Sequence, residues 1–130
     1  MGLSIFDISA GAMRSQMVRL SSGASNLANA GTVSGDEAGA YRTIKPVFRT
    51  VLDEAGNATV EVASAERSKT PPTRRYEPDH PLANEEGYVF EASVDTAAEM
   101  VEMLETSRQY QNSVQVLQTA KDLINETIRS

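Results

Sequence analysis

The sequence predicts a mainly α protein with a small β insertion. Its N- and C-terminal helices form an antiparallel coiled-coil-like pair, with a β-hairpin and a Pro-rich extended loop between them. Three observations carry this expectation: apolar residues step by three and four at both ends of the chain, a strand–turn–strand pattern lies between them, and Pro71, Pro72, Pro78 and Pro81 follow it. The 130 residues divide into 1–31, the N-terminal helix of an inner helical domain; 32–92, a linker, hairpin and extended loop; and 93–130, the C-terminal helix of the same inner domain.

Near the N-terminus, Leu3, Phe6, Ala10, Met13, Met17, Leu20, Ala24 and Leu27 occupy successive a and d positions of a heptad repeat, the seam of a helix that wraps another. Ser4 is placed to cap the start, and Gly31 stands where a left-handed C-terminal cap is favoured. By itself the helix is weak. Gly11 and Gly23 each cost about 1 kcal/mol relative to Ala, and Ser9, Ser15, Ser21, Ser22 and Ser25 are indifferent helix formers.

The C-terminal segment repeats the seam through Met100, Met103, Ser107, Tyr110, Val114, Leu117, Lys121, Ile124 and Ile128, widened by Leu104 and Leu123. Thr96 followed by Glu99 reads as a capping box, and Asp95, Glu99 and Glu102 set negative charge against the positive end of the helix dipole. About 35 helical residues make a rod on the order of 50 Å long, a length that suits a coiled coil.

Between the helices, Gly31, Gly35 and Gly39 mark a flexible stretch. Tyr41 to Asp53 then reads as one strand, Glu54-Ala55-Gly56-Asn57 as its turn, and Ala58 to Ala65 as the return strand. Pro46 confines the early part of the first strand to an edge. From Ser68 to Pro81 the prolines forbid regular helix and leave an extended loop, basic and then acidic.

Composition excludes several classes of function. With 12 Lys plus Arg against 18 Asp plus Glu, the net charge of −6 opposes a nucleic-acid backbone as main ligand. Without cysteine there is no disulfide, thiolate zinc site or cysteine nucleophile. No run of 18 apolar residues exists, and Met1-Gly2-Leu3-Ser4-Ile5-Phe6-Asp7 lacks the basic start and apolar block of a secretory signal. The expectation is a chain that neither spans a membrane nor leaves through a cleaved signal peptide.

Candidate chemistry is sparse. His80, the single histidine, has Glu77, Asp79 and Asn84 near it in sequence, but no nucleophile motif or paired-ligand spacing accompanies it, so it reads as a turn residue. Glu85, Glu86, Glu91, Asp95, Glu99, Glu102 and Glu105 run without an intervening base; they lack the offsets and central glycine of a calcium loop and read as a solvated or partner-facing strip. Arg67, Lys69, Arg74 and Arg75 supply a complement, within the chain or on a neighbouring copy. Gly31 to Gly39 form no phosphate-binding motif, and Met13, Met17, Met100 and Met103 belong to the helical seams as adaptable packing. Catalytic, cofactor and metal residues are therefore expected to be none.

Two segments carry a likeness. Ser25-Asn26-Leu27-Ala28-Asn29-Ala30, followed by a Gly/Ser-rich stretch and Tyr41-Arg42, resembles the N-terminal signature of the bacterial flagellar axial proteins. The segment from Tyr76 through Pro78, His80, Pro81, Gly87, Tyr88 and Val89 is similar to the region that marks the proximal-rod branch of that family. Val94, Asp95, Glu99 and Met100, then Arg108, Tyr110, Gln111, Asn112 and Val114, continue the likeness into the last helix.

The resemblance implies a non-enzymatic subunit of the flagellar basal-body rod, the shaft that carries torque across the periplasm. It implies terminal helices packed into an inner tube, passage through the flagellar type III export apparatus without signal cleavage, and assembly with copies of itself, other rod proteins and the rod base or export gate. The packing residues expected to build that tube are Leu3, Phe6, Met13, Met17, Leu20, Leu27, Met100, Met103, Leu104, Tyr110, Val114, Leu117, Ile124 and Ile128. Two alternatives remain distinguishable by experiment: a soluble coiled-coil adaptor or export chaperone, which would form a small closed oligomer, and a small hydrolase using His80 with a carboxylate.

Overall fold

In a computed structural model, the backbone of residues 2–129 and the side chains of residues 5–129 are described. Helix α1 spans Gly2–Ala28, and helix α2 spans Thr96–Arg129. Five strands lie between them: β1 (Val33–Ser34), β2 (Ile44–Leu52), β3 (Ala58–Arg67), β4 (Thr73–Tyr76) and β5 (Tyr88–Glu91). The side chain of Leu3, expected in the seam, falls outside the described residues.

The capping expectations divide. Because α1 already begins at Gly2, Ser4 lies within its first turn rather than before it. Thr96 is likewise the first residue of α2, and the cap is Asp95: its carboxylate accepts the Ala98 N–H at 3.1 Å while its carbonyl accepts the Glu99 N–H at 3.0 Å. A carboxylate there satisfies a first-turn donor and meets the positive end of the dipole together. After α1, Gly31 takes φ +85°, the left-handed conformation expected of it.

The hairpin forms where its turn chemistry places it. β2 and β3 make a two-stranded antiparallel sheet from Ile44↔Arg67 to Leu52↔Ala58, with a bulge at Val47/Phe48. In the turn, Asp53 accepts the N–H groups of Ala55 at 2.9 Å and Asn57 at 2.8 Å, and Gly56 adopts φ +83°. Pro46 sits on β2 with no second neighbouring strand to deprive of a donor.

A three-stranded antiparallel sheet, in the order β1-β5-β4, was not expected. It places β4 inside the segment read as an extended loop and joins the chain just after α1 to the chain just before α2. Val33 pairs with Glu91, Ser34 with Phe90, and the Ala92 N–H donates to the Thr32 carbonyl at 2.9 Å. Val89, in the central strand, is fully buried.

Helix α1 runs between two neighbours, α2 on one side and the hairpin on the other. Along the hairpin it passes Ile44 at Asn26, the Phe48 ring at Arg19, and Thr59 and Val60 at Gly11. Along α2 it meets Met103 at Gly23 and Ser113 at Gln16, so the two helices are antiparallel.

Candidate assembly interface

The two helices are held apart by little. A Cβ at Gly23 would lie 2.7 Å from Met103 Cγ, and one at Gly11 would lie 3.4 Å from the Val60 carbonyl oxygen. The glycines that weaken α1 as an isolated helix are thus positions where its two neighbours come close. Ser9, Ser15 and Asn26 are buried on α1 as well; small and polar residues fill a helix squeezed from both sides, and the Ser15 hydroxyl is satisfied by the Gly11 carbonyl at 3.0 Å.

Of the residues expected in the seam, Phe6, Met13, Leu20 and Leu27 on α1 and Met103, Tyr110 and Leu117 on α2 are half-buried. Ala10, Met13 and Met17 line one groove with Tyr110 and Leu117. The others remain outside: Met17, Met100, Leu104, Val114, Ile124 and Ile128 are exposed, Leu104 by 69% and Ile128 by 77%. At about 100° per residue, Ile124 and Ile128 fall on the same side of α2 as Leu117, yet both are exposed. Two seam contacts were not foreseen. Gln16 donates to the Ser113 hydroxyl at 3.2 Å, leaving its own Oε1 buried without a partner among the described residues, and buried Thr106 returns its hydroxyl to the Glu102 carbonyl at 2.8 Å. Thr106 and Ser113 step by three and four with Met103, Tyr110 and Leu117, so the spacing itself places them on the covered stripe, where Ser107 and Val114 were expected.

The Ser25–Ala30 segment works at the junction of helix and hairpin. Asn26, 1% exposed, donates from Nδ2 to the Ile44 carbonyl at 3.0 Å and accepts the Ile44 N–H on Oδ1 at 2.9 Å; the Tyr41 hydroxyl donates to the same Oδ1 at 2.7 Å. Ser25 Oγ lies 3.0 Å from that hydroxyl, and Asn29 donates to the Ser25 carbonyl at 2.9 Å. Leu27 is half-buried and Ala28 exposed.

The second segment closes β4 onto β5. The Tyr76 and Tyr88 rings meet edge to face at 5.2 Å, and Gly87, at φ +86°, leaves room where a Cβ would strike Tyr76 and Pro78. Asn84 Oδ1 accepts the N–H groups of Glu86 at 3.0 Å and Tyr88 at 2.9 Å. His80 is a turn residue whose Nδ1 accepts the Leu82 N–H at 3.0 Å, with Pro81 exposed beside it. No group of three or more His, Cys, Asp or Glu side chains able to hold a metal occurs among the described residues. Arg75 bridges Glu91 at 2.8 Å, so one member of the basic complement meets the acidic strip within the chain, while Arg74 stacks over Tyr88 and Arg67 over Tyr41. Val94 is half-buried, and Glu99 lines a cleft of about 190 Å³ between α1, β2 and α2 with Arg19, Lys45 and Glu102.

Apolar surface is left open along both helices, on a scaffold whose polar signatures fix junctions and turns; exposed apolar patches are where proteins commonly meet partners. The comparisons agree. Residues 85–130 match the family model described as "Flagellar basal body rod FlgEFG protein C-terminal". The flagellar basal-body rod protein FlgC of Salmonella typhimurium is 43% identical, with 97% of this chain and 95% of that protein covered. FlgC of Yersinia enterocolitica is 40% identical over the same shares, and FlgC of Aquifex aeolicus 31% identical over 95% of this chain and 92% of that protein. The chain belongs to the FlgC family of flagellar basal-body rod proteins.

Proposed function

We propose that this chain is a non-enzymatic structural subunit of the flagellar basal-body rod, in which α1 and α2 form a coiled-coil-like inner domain (residues 1–31 and 93–130) and residues 32–92 face outward or onto neighbours. The seam residues that α1 and α2 leave half-covered or exposed are its assembly contacts. Stiffness for torque follows from packing, because close-packed interiors have low compressibility and each subunit is held on several sides. Its partners are copies of itself, other rod proteins, the rod base or export gate, and the type III export apparatus. Its place is the periplasmic rod, reached without a cleaved signal; no described helix is long and apolar enough to cross a membrane.

The observation that carries this function is the exposure of Leu104, on the side of α2 turned away from the Leu117 seam, and of Ile128, on the seam side near the end of α2. A soluble adaptor or export chaperone is disfavoured by full-length similarity to rod proteins. Substituting Leu104→Asp and Ile128→Asp separates folding from assembly: neither side chain packs in the isolated chain, so export and folding persist, while basal bodies lack the rod and cells do not swim. Normal rods in the double variant would contradict the assembly role of these two positions.

A further inference from the structure

The side chain of Met103 lies in the notch that Gly23 leaves in α1. A Cβ at Gly23 would stand 2.7 Å from Met103 Cγ and 3.2 Å from Sδ, so the thioether itself takes the space of a missing side chain. Gly23 is buried and Met103 half-buried. Both line the cleft of about 190 Å³ between α1, β2 and α2, so the sulfur has a solvent-side approach. In the same cleft stand Arg19 and Lys45, which make no ion pair among the described residues, and the acids Glu99 and Glu102. No Cα of the hairpin strands comes within 8 Å of one in α2, which leaves room on the side of Met103 away from the notch.

We propose that Met103 is an oxidation site that controls the α1–α2 contact: conversion of its thioether to the sulfoxide by a peroxide lifts it from the Gly23 notch and loosens the two helices, and reduction returns it. A sulfur lone pair attacks one peroxide oxygen; the S–O bond forms as the O–O bond breaks, and the departing hydroxide takes up a proton to leave as water. Sulfur is oxidised by two electrons and the peroxide is reduced by two. The product is polar and carries an acceptor oxygen where the thioether was apolar. The α1 backbone at Gly23 offers that oxygen no donor, because N–H groups inside a helix are already bonded along it. Arg19 and Lys45 on the cleft side are donors. Thioether and sulfoxide therefore favour different places, the notch and the cleft, and oxidation shifts the population between them. Met17 and Met100, 52% and 57% exposed, oxidise without this consequence because their side chains already face solvent in large part.

The chain has no cysteine, so peroxide acts on methionine sulfur alone among its thiols and thioethers. The test uses the purified full chain carrying Met13→Leu, Met17→Leu and Met100→Leu, swaps of similar volume, which leave Met103 and Met1. After hydrogen peroxide, mass spectrometry should find the Met103 sulfoxide, and the amides of residues 20–25 and 102–106 should exchange about tenfold faster. Sulfoxide reductases for both epimers should restore the original rates. A second protein that also carries Met103→Leu should keep its rates under the same treatment, whatever happens at Met1. A Met103 that stays reduced while the chain is folded, a sulfoxide that leaves exchange unaltered, or equal loosening in the Met103→Leu protein overturns the proposal. Each of these readouts comes from the isolated chain, so the rod function stands or falls separately.

Discussion

Asn26 and Ile44 exchange two hydrogen bonds across the junction of α1 and the hairpin, the carboxamide of one satisfying both backbone groups of the other at 3.0 and 2.9 Å. A side chain here does what a neighbouring strand would do for the first residue of β2, and it ties the last turns of the N-terminal helix to the sheet in a single subunit. Replacing Asn26 by Ala leaves a buried donor and a buried acceptor unpaired, each costing about 1–3 kcal/mol. Asn26→Ala should therefore speed hydrogen exchange of the Ile44 amide, and Asn26→Asp, which keeps the acceptor for that amide and loses only the donor to the Ile44 carbonyl, should retain part of the protection. Unchanged exchange in both variants would show that the junction is held elsewhere.

The same tie divides α1 before assembly. Its C-terminal turns are clamped to the hairpin by Asn26, whereas its beginning has Ile5 and Ile8 exposed and Gly11 in its middle. In dilute, monomeric protein, amides of residues 5–12 should exchange near the rate of an unstructured chain and those of residues 22–28 more slowly, with ordering completed on neighbouring subunits. Uniform strong protection along α1 would favour a subunit that is fully folded before it is incorporated.

At the seam, Leu117 shares a groove with Met13 and Met17. Leu117→Asp removes apolar surface from that groove and sets a carboxylate among Met13, Met17 and Tyr110, with Arg14 the one opposite charge lining it, and should eliminate rods and swimming; Gln115→Glu, on an exposed position of the same helix, should be tolerated. Motility assays and electron microscopy of basal bodies check both.

No chemistry should depend on His80. Its ring accepts one hydrogen bond from Leu82, worth about 1 kcal/mol, and no metal-holding group of side chains surrounds it among the described residues. His80→Gln should leave assembly within a few-fold of the parent, and the purified protein should take up no stoichiometric zinc at micromolar concentration by calorimetry. Tight binding, or loss of rods with normal export, would restore the site.

The hairpin turn should respond to acid. Hydrogen bonds from the Asn57 backbone and side chain, and then from Ala55 and Gly56, hold the Asp53 carboxyl below its ordinary value. A depressed folded pKa means that the turn's extra stability is present above the unfolded value of about 3.9 and is lost as pH falls through the lower folded one. A carbon-detected titration of Asp53 should show that depressed midpoint, with loosening of the Ala55 and Asn57 amides below about pH 4; a midpoint at or above the unfolded value would remove these hydrogen bonds.

Much of this architecture is legible in the residues and some of it is not. The α2 start, the turn at Asp53–Asn57 and the left-handed Gly31 are local, so neighbouring residues declare them. The β1-β5-β4 sheet is not local: its strands are two to four residues long, too short for alternation to register, and they exist because the chain leaving α1 meets the chain entering α2. Asn26 is hidden for the same reason, since its partner Ile44 lies 18 residues away. The heptad steps locate the helices but not the covered positions, because α1 packs on two sides and α2 on one; Gly11, Ser15 and Gly23 mark close approach, while Leu104 and Ile128, which step like core, stay outside.

A density map of the intact basal body tests the central claim most directly, namely that α1 and α2 are the assembly surface of a rod subunit. The map should show this chain with both helices inside the rod wall, Leu104, Ile124 and Ile128 covered by neighbouring subunits, and the hairpin away from the helical centre. Density that leaves those three side chains facing solvent, or that holds the chain by its hairpin alone, would contradict it.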